Sequence, residues 1–343
     1  MFWACIAPIL PKPKRATFII YNLLHFLLLE YPFQTFNILT KKTKMSVKLG
    51  VAPIAWSNDD MPELGGDTPL EQCLSEASEA GYSGIESGGK FPKSSNELLP
   101  LLNKFNLKLC SGWRGAHLLK NSVKDEMSEI RQQLDLLKGC KAPCIAFAEV
   151  TDSIQGDQTK PLSKRPQLDN DNWKNFCEKI TEIGKRLEDE GVPLAYHHHM
   201  GTVIQTQQDI SRLIENTGNS VKLLIDTGHM QFAEGDHLKV AKDFNERLIH
   251  VHCKDTREKA LKKSLKEDLS FINAFLEGIF TVPGDGCIDY KPFFGVLKKF
   301  KYSGWLVVEA EQDPKKANPF EYAKKGFEYL SKTLKDCEFS VST

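Results

Sequence analysis

The sequence lacks an excess of either charge: 45 Lys and Arg balance 45 Asp and Glu over 343 residues. A neutral total leaves no electrostatic footprint for nucleic acid, whose binding is carried by clustered cations. A cysteine framework is missing as well. The nine cysteines are scattered through helix-like and strand-like segments without paired spacing. That argues against a disulfide scaffold and for reduced thiols in a cytoplasmic setting. Cys140 and Cys144 stand four apart with no matching second pair, which disfavours a zinc knuckle. The uncharged run Ala16–Leu29 has only 14 residues, holds Asn22 and His25, and is stopped by Glu30. A spanning helix wants about 20 apolar residues, so this run is too short to cross a bilayer comfortably. No Gly-x-Gly-x-x-Gly turn follows the first strand, and a dinucleotide fold loses support with it.

What is present falls into two unequal parts. Residues 1–44 differ from the rest. Lys12, Lys14 and Arg15 resemble a signal-peptide n-region, but no small-residue cleavage site follows. Three readings stay open: an upstream start outside the working protein, an organellar or secretory targeting segment, or a membrane anchor. This extension is left out of the expected fold. The folded domain is expected over 45–336, opening at "MSVKLGVAPIAW", with 337–343 as a C-terminal tail.

Within that domain an apolar, β-branched run is followed by a helix-period stretch again and again. The expected strands are 47–56, 82–87, 107–113, 144–150, 192–199, 221–229, 248–255 and 304–311. The expected helices include 69–81, which ends at Gly81, and 173–191, with Phe176, Ile180, Ile183 and Leu187 along one face. A third, 319–334, closes the series. Eight strand-then-helix units predict an α/β fold, a closed (β/α)₈ TIM barrel. Two long connections, Thr151–Asp171 and Thr256–Gly284, would sit at the C-terminal mouth, where lids and substrate loops lie. The second is expected to carry a short helix around "EDLSFINAFLEG".

Chemistry collects at the strand ends. Strand five ends in His197, His198 and His199, and strand six in Asp226-Thr-Gly-His229. Strand seven holds His250 and His252, then Lys254, and strand eight holds Glu309 and Glu311. Seven of the nine histidines fall between 197 and 252. An imidazole or carboxylate inside a barrel is costly unless it is paired or binds a metal. Four consecutive strands with such groups at one end suit a single cation held by neutral imidazoles and carboxylates. Strand alternation puts His197 and His199 on one side and His198 on the other. It also pairs His250 with His252 and Glu309 with Glu311. Either member of each pair fits as ligand.

The segments "LLIDTGH", "IHVHCKD", "PGDGCIDYKPFFGVLKKFKYSGWLVVEAE" and "LGVAPIAWSNDD" resemble the xylose-isomerase-like barrel superfamily. Within it, "GVAPIAWSNDDMPELGGDTPLEQCLSEASEAGYSGIE" and "AYHHHMGT" resemble the inosose dehydratases of bacterial inositol catabolism, over about Val47 to Leu334. The resemblance implies a divalent metal, manganese or cobalt, on Asp226, His252, Glu309 and, where many relatives carry Glu, His197. His199 remains the rival at that position. It also implies a small polyol ketone, 2-keto-myo-inositol (scyllo-inosose), as substrate. Water would be lost to give a trihydroxycyclohexane-1,2-dione. The catalytic acid and base would come from His229, Glu149, Lys254 and Glu311. Trp56, Asn58, Glu86, Trp113 and His199 would line the sugar pocket. A helper thiol such as glutathione is a further expected cofactor. No nucleic-acid partner and no membrane are expected for the barrel, and homo-oligomerisation is left open. A sugar isomerase or epimerase working through the same enediolate is the first alternative. A metal-free binding barrel is the second. A repair endonuclease would need more ligands and a basic surface.

Overall fold

The computed structural model describes residues 45–342. The expectations for 1–44 lie outside the described residues. Eight parallel strands close into a barrel: β1 (Met45–Val51), β2 (Gly84–Ser87), β3 (Lys108–Ala116), β4 (Ile145–Glu149), β5 (Leu194–His197), β6 (Val221–Asp226), β7 (Leu248–Cys253) and, after a small excursion, β10 (Trp305–Val308). The ring shuts where Lys48–Val51 pair with Trp305–Val308. Among the described residues no helix is long and apolar enough to cross a membrane.

The strands form where the sequence is apolar and β-branched, and most of their side chains are buried. The helices shield their outer faces. In Asn170–Asp189 the residues Trp173, Phe176, Ile180, Ile183 and Leu187 face the barrel. Each such side chain contributes about 1.5–3 kcal/mol on burial. The helix starts where Asp169 Oδ1 accepts from the Asn172 N–H at 2.8 Å, a cap worth about 1 kcal/mol. It is followed by Gly191 at φ +81°, a left-handed turn that a Cβ would strain.

Several element ends differ from the expected ones. The first strand stops at Val51 because Pro53 opens a short 3₁₀ turn, Pro53–Ala55. The sixth stops at Asp226, whose side chain caps a short helix, Thr227–Phe232, so His229 is helical rather than extended. Strands five and eight stop at His197 and Val308, which leaves His199, Glu309 and Glu311 on the segments just beyond them. The connection 256–284 is more ordered than expected. It holds helices Glu258–Lys266 and Phe271–Leu276, and a two-stranded antiparallel sheet of β8 (Asp255–Thr256) with β9 (Phe280–Thr281). Phe271, Ile272, Phe275, Ile279 and Phe280 pack there with Met200 and Phe232 in an apolar cluster of their own. The expected tail is also structured: β11 (Phe339–Val341) pairs in parallel with Met45–Val47.

Candidate metal and proton-transfer site

The strand ends meet in a cavity of about 100 Å³ at the barrel mouth. Asp59, Asp60, Glu86, Trp113, Gln155, His197, His199, His252, Glu309 and Glu311 contribute to its wall.

Two groups of side chains dominate it. His197, Asp226, His252 and Glu309 each offer a ligand atom, and these atoms lie within 4.8 Å of one another. His197 Nδ1 is 2.7 Å from the His198 carbonyl, so it carries the N–H and leaves the Nε2 lone pair free. That Nε2 stands 3.8 Å from Asp226 Oδ2. His252 Nδ1 lies 3.5 Å from the same oxygen and 2.8 Å from Glu309 Oε2. Asp226 Oδ1 is committed, accepting from the His229 N–H at 2.8 Å as a helix cap. Asp226 Oδ2 and His252 Nδ1 are buried and, close as they are to charged neighbours, make no hydrogen bond of good geometry. Two imidazole nitrogens and two carboxylates suit a divalent cation.

The second group is His199, His229 and Glu311. His199 Nδ1 is 2.9 Å from the Met200 carbonyl, which leaves its Nε2 as the lone pair. The Lys254 ammonium, fully buried, lies 2.9 Å from His229 Nε2 and 2.6 Å from Glu311 Oε2. It also reaches Glu309 Oε1 at 2.6 Å and Asp226 Oδ2 at 3.5 Å. Gly228 makes room for it: a Cβ there would come 2.5 Å from Lys254 Cγ.

The electrostatics follow from burial and charge. Burial raises Glu311 to about 7, with Lys254 pulling it back and Glu309 pushing it further up. Burial alone would raise Asp226, but Lys254 and His252 hold it at about 2. Glu309 is likewise held well below the usual range by His252 and Lys254, against its burial. Burial disfavours charge on His252, yet Glu309 and Glu86 raise it well above an ordinary imidazole, marking a place where positive charge is favoured. Burial keeps His197 and His229 well below the ordinary imidazole range, each beside other cationic neighbours. Buried carboxylates at 226, 309 and 311 thus face one buried ammonium, an arrangement with room for another cation.

The remaining sequence-predicted residues divide. Trp113 is 38 % exposed and meets His197 edge-on at 5.3 Å between ring centroids. Glu86 is also in the cavity wall, with Oε1 3.1 Å from His252 Nε2. Glu149 is not brought in: its Oε2 accepts from the Leu118 N–H at 2.7 Å and its Oε1 from the Thr151 N–H at 2.8 Å. Trp56 turns into the core, donating to Glu76 Oε2 at 2.6 Å, and borders a separate crevice with Cys73 and Phe91. Asn58 holds the loop after β1 by accepting from the Asp60 and Met61 N–H groups at 2.8 and 2.9 Å. Asp60 and Gln155 line the cavity and were not foreseen; both lie on loops, where strand-end reasoning does not reach.

A family model described as "Xylose isomerase-like TIM barrel" matches residues 74–333. The rhizopine catabolism protein MocC of Rhizobium meliloti is 44 % identical over 303 residues, 88 % of this chain and 93 % of that protein. The inosose dehydratase of Geobacillus thermodenitrificans (strain NG80-2) is 44 % identical over 289 residues, 84 % of this chain and 97 % of that protein. Among solved structures, L-ribulose 3-epimerase superposes with a TM-score of 0.61 at 15 % identity, covering 85 % of this chain and 95 % of that one. At that identity the likeness is one of fold.

Proposed function

We propose that this chain, which belongs to the xylose isomerase-like TIM barrel family and to its inosose dehydratase branch, is a metal-dependent hydro-lyase acting on a cyclic polyol ketone. The observation that carries the reading is the convergence of buried ligand atoms from His197, Asp226, His252 and Glu309 within 4.8 Å of one another. These four residues would hold one divalent cation, manganese or cobalt, which when bound supplies Lewis-acid polarisation of the ketone.

The other residues supply the proton chemistry. Glu311, with a pKa near neutrality, is suited to both halves of an elimination. As carboxylate it takes the proton from the carbon next to the ketone. The C–H electrons form the new C=C bond, and the β-hydroxyl leaves with its C–O pair. Protonated Glu311 returns the proton to that hydroxyl, which departs as water. The enol left behind tautomerises to the 1,2-dione, so the net change is loss of one water. Lys254 stays an ammonium, raised above the ordinary lysine range by Asp226, Glu309 and Glu311 despite its burial, and acts as fixed positive charge beside the developing negative charge. His199 and His229, kept neutral by burial, offer hydrogen bonds to ring hydroxyls. Trp113 offers a flat apolar face to the C–H side of the ring.

Scyllo-inosose is the substrate to test, with manganese or cobalt, with and without a thiol such as glutathione. Appearance of the conjugated dione by ultraviolet absorbance is expected. Isomerised sugar with no water lost would hand the site to an epimerase-type reaction. Indifference of turnover to a chelator would overturn the metal.

A further inference from the structure

Glu86 enters the site from β2, across the barrel from β7, and is 6 % exposed. Its Oε1 accepts from the Ser111 hydroxyl on β3. The same oxygen lies 3.0 Å from His250 Nε2 and 3.1 Å from His252 Nε2. The opposite nitrogen of His252, Nδ1, faces Glu309 Oε2 and Asp226 Oδ2 at 2.8 and 3.5 Å. One imidazole therefore bridges two sets of carboxylates, one on each nitrogen. A carboxylate can only accept, so without a cation each nitrogen of the ring donates to a carboxylate. With a cation in place of the Nδ1 proton, the proton that stays is the one on Nε2 facing Glu86, and Nδ1 presents its lone pair.

Resting on the reading of His252 as a cation ligand, we propose that Glu86 is a positioning residue: it locks the His252 ring and its Nε2–H form, so that Nδ1 is aimed at the cation. Ser111 and His250 in turn hold Glu86 Oε1. The rival role is a direct hydrogen bond from Glu86 to a substrate hydroxyl, since Glu86 also borders the cavity. The two roles separate cleanly because cation binding can be measured without substrate.

Cobalt binding to the whole chain, read by competition with a chromophoric chelator, tests this. In E86L the dissociation constant is expected to rise about 10–100-fold, the usual cost of losing the group behind a ligating histidine. E86Q keeps an acceptor oxygen for Nε2–H and should recover most of that affinity. S111A leaves the carboxylate in place and should lose about threefold, the worth of one modest hydrogen bond, so the test survives if E86L does not fold. At saturating cobalt the KM of E86Q and S111A for scyllo-inosose should stay at the wild-type value. Unchanged cobalt affinity in E86L together with a raised KM would assign Glu86 to substrate and overturn the proposal. Two cobalt ions per wild-type chain, one of them lost in E86L, would make Glu86 a ligand and overturn it too. A wild-type chain that binds no cobalt would instead remove the metal reading itself, and the inference with it.

Discussion

Two clusters of histidine and carboxylate sit side by side in the barrel mouth, built from the same residue types and wired differently. His199 and His229 are 4.1 Å apart between ring centroids, and His197 and His199 are 5.6 Å apart. Each group holds two buried atoms without a hydrogen bond of good geometry, Asp226 Oδ2 and His252 Nδ1 in the first, His229 Nδ1 and Glu311 Oε2 in the second. In the group of His199, His229 and Glu311, the Lys254 ammonium sits against Glu311 and His229 at 2.6 and 2.9 Å. A lysine is a fixed charge with three donors and no coordination position to open. A metal keeps positions for substrate oxygens. Residue type alone therefore does not separate a cation site from a proton-transfer site. Lys254 meets a carboxylate of each group at 2.6 Å, Glu309 in one and Glu311 in the other, but it lies against an imidazole nitrogen only in the second.

The hardest blow to this contrast is D226N. Losing the central carboxylate should strip the chain of stoichiometric metal and lower turnover by at least about 10³-fold, as for loss of a main electrostatic stabiliser. Elemental analysis of the purified variant and the dione assay read both; full metal content in D226N would dissolve the distinction between the clusters. K254M comes next. Turnover should fall about 10²–10⁴-fold with the first metal retained, a range typical of losing a positioned catalytic group. With the ammonium gone, high manganese should load a second ion per chain. A variant that stays at one ion under saturating manganese would show that Lys254 is not what keeps the second cluster free of metal.

A smaller effect concerns Glu311. Its folded pKa is raised by burial from 4.5 to about 7, so the folded state favours the protonated carboxyl. That contribution is full below pH 4.5 and is lost as the pH climbs through about 7. In chelator-treated protein the melting temperature should fall from pH 5 to pH 8, and E311Q should flatten that fall by about 2–4 °C. Parallel slopes in the two proteins would argue that Glu311 ionises freely. The smallest effect lies away from both clusters. Hydrogen bonds from Arg131 and Lys138 hold Glu190, ahead of β5, at about 2 against an ordinary 4.5. Its contribution is present above pH 4.5 and lost as the pH falls through about 2. These groups are partly exposed, so E190Q should cost less than about 1 kcal/mol at pH 7 and leave metal content and turnover unchanged. A change in turnover would connect this surface network to the mouth.

The barrel was legible because each strand is a short apolar run with β-branched residues, bounded by polar turns. Asp226, His252 and Glu309 were legible because strands in one barrel share a direction, so their ends must meet. His197 against His199 was not, since alternation puts both on one side; in the structure the strand ends between them and they join different groups. Glu149 ends β4 much as Asp226 ends β6, yet its oxygens go to the Leu118 and Thr151 amides. Those loop amides depend on tertiary folding that no strand pattern reports. Trp56 and Asn58 do not line the cavity: after the turn at Pro53 the first points into the core and the second holds its own loop. Asp60 and Gln155 have no periodic signal at all.

The parallel zipper of Phe339–Val341 onto Met45–Val47 brings the first and last strands of the described chain together at the barrel floor, opposite the mouth. Because the pairing is parallel, a linker from Val341 has to turn back along the strand to reach Met45, a crossover of about a dozen residues, and new ends opened in a floor loop would leave every mouth residue in place. The fold thus lends itself to rearranged chain order, and to tethering by the floor with the chemistry facing free solution.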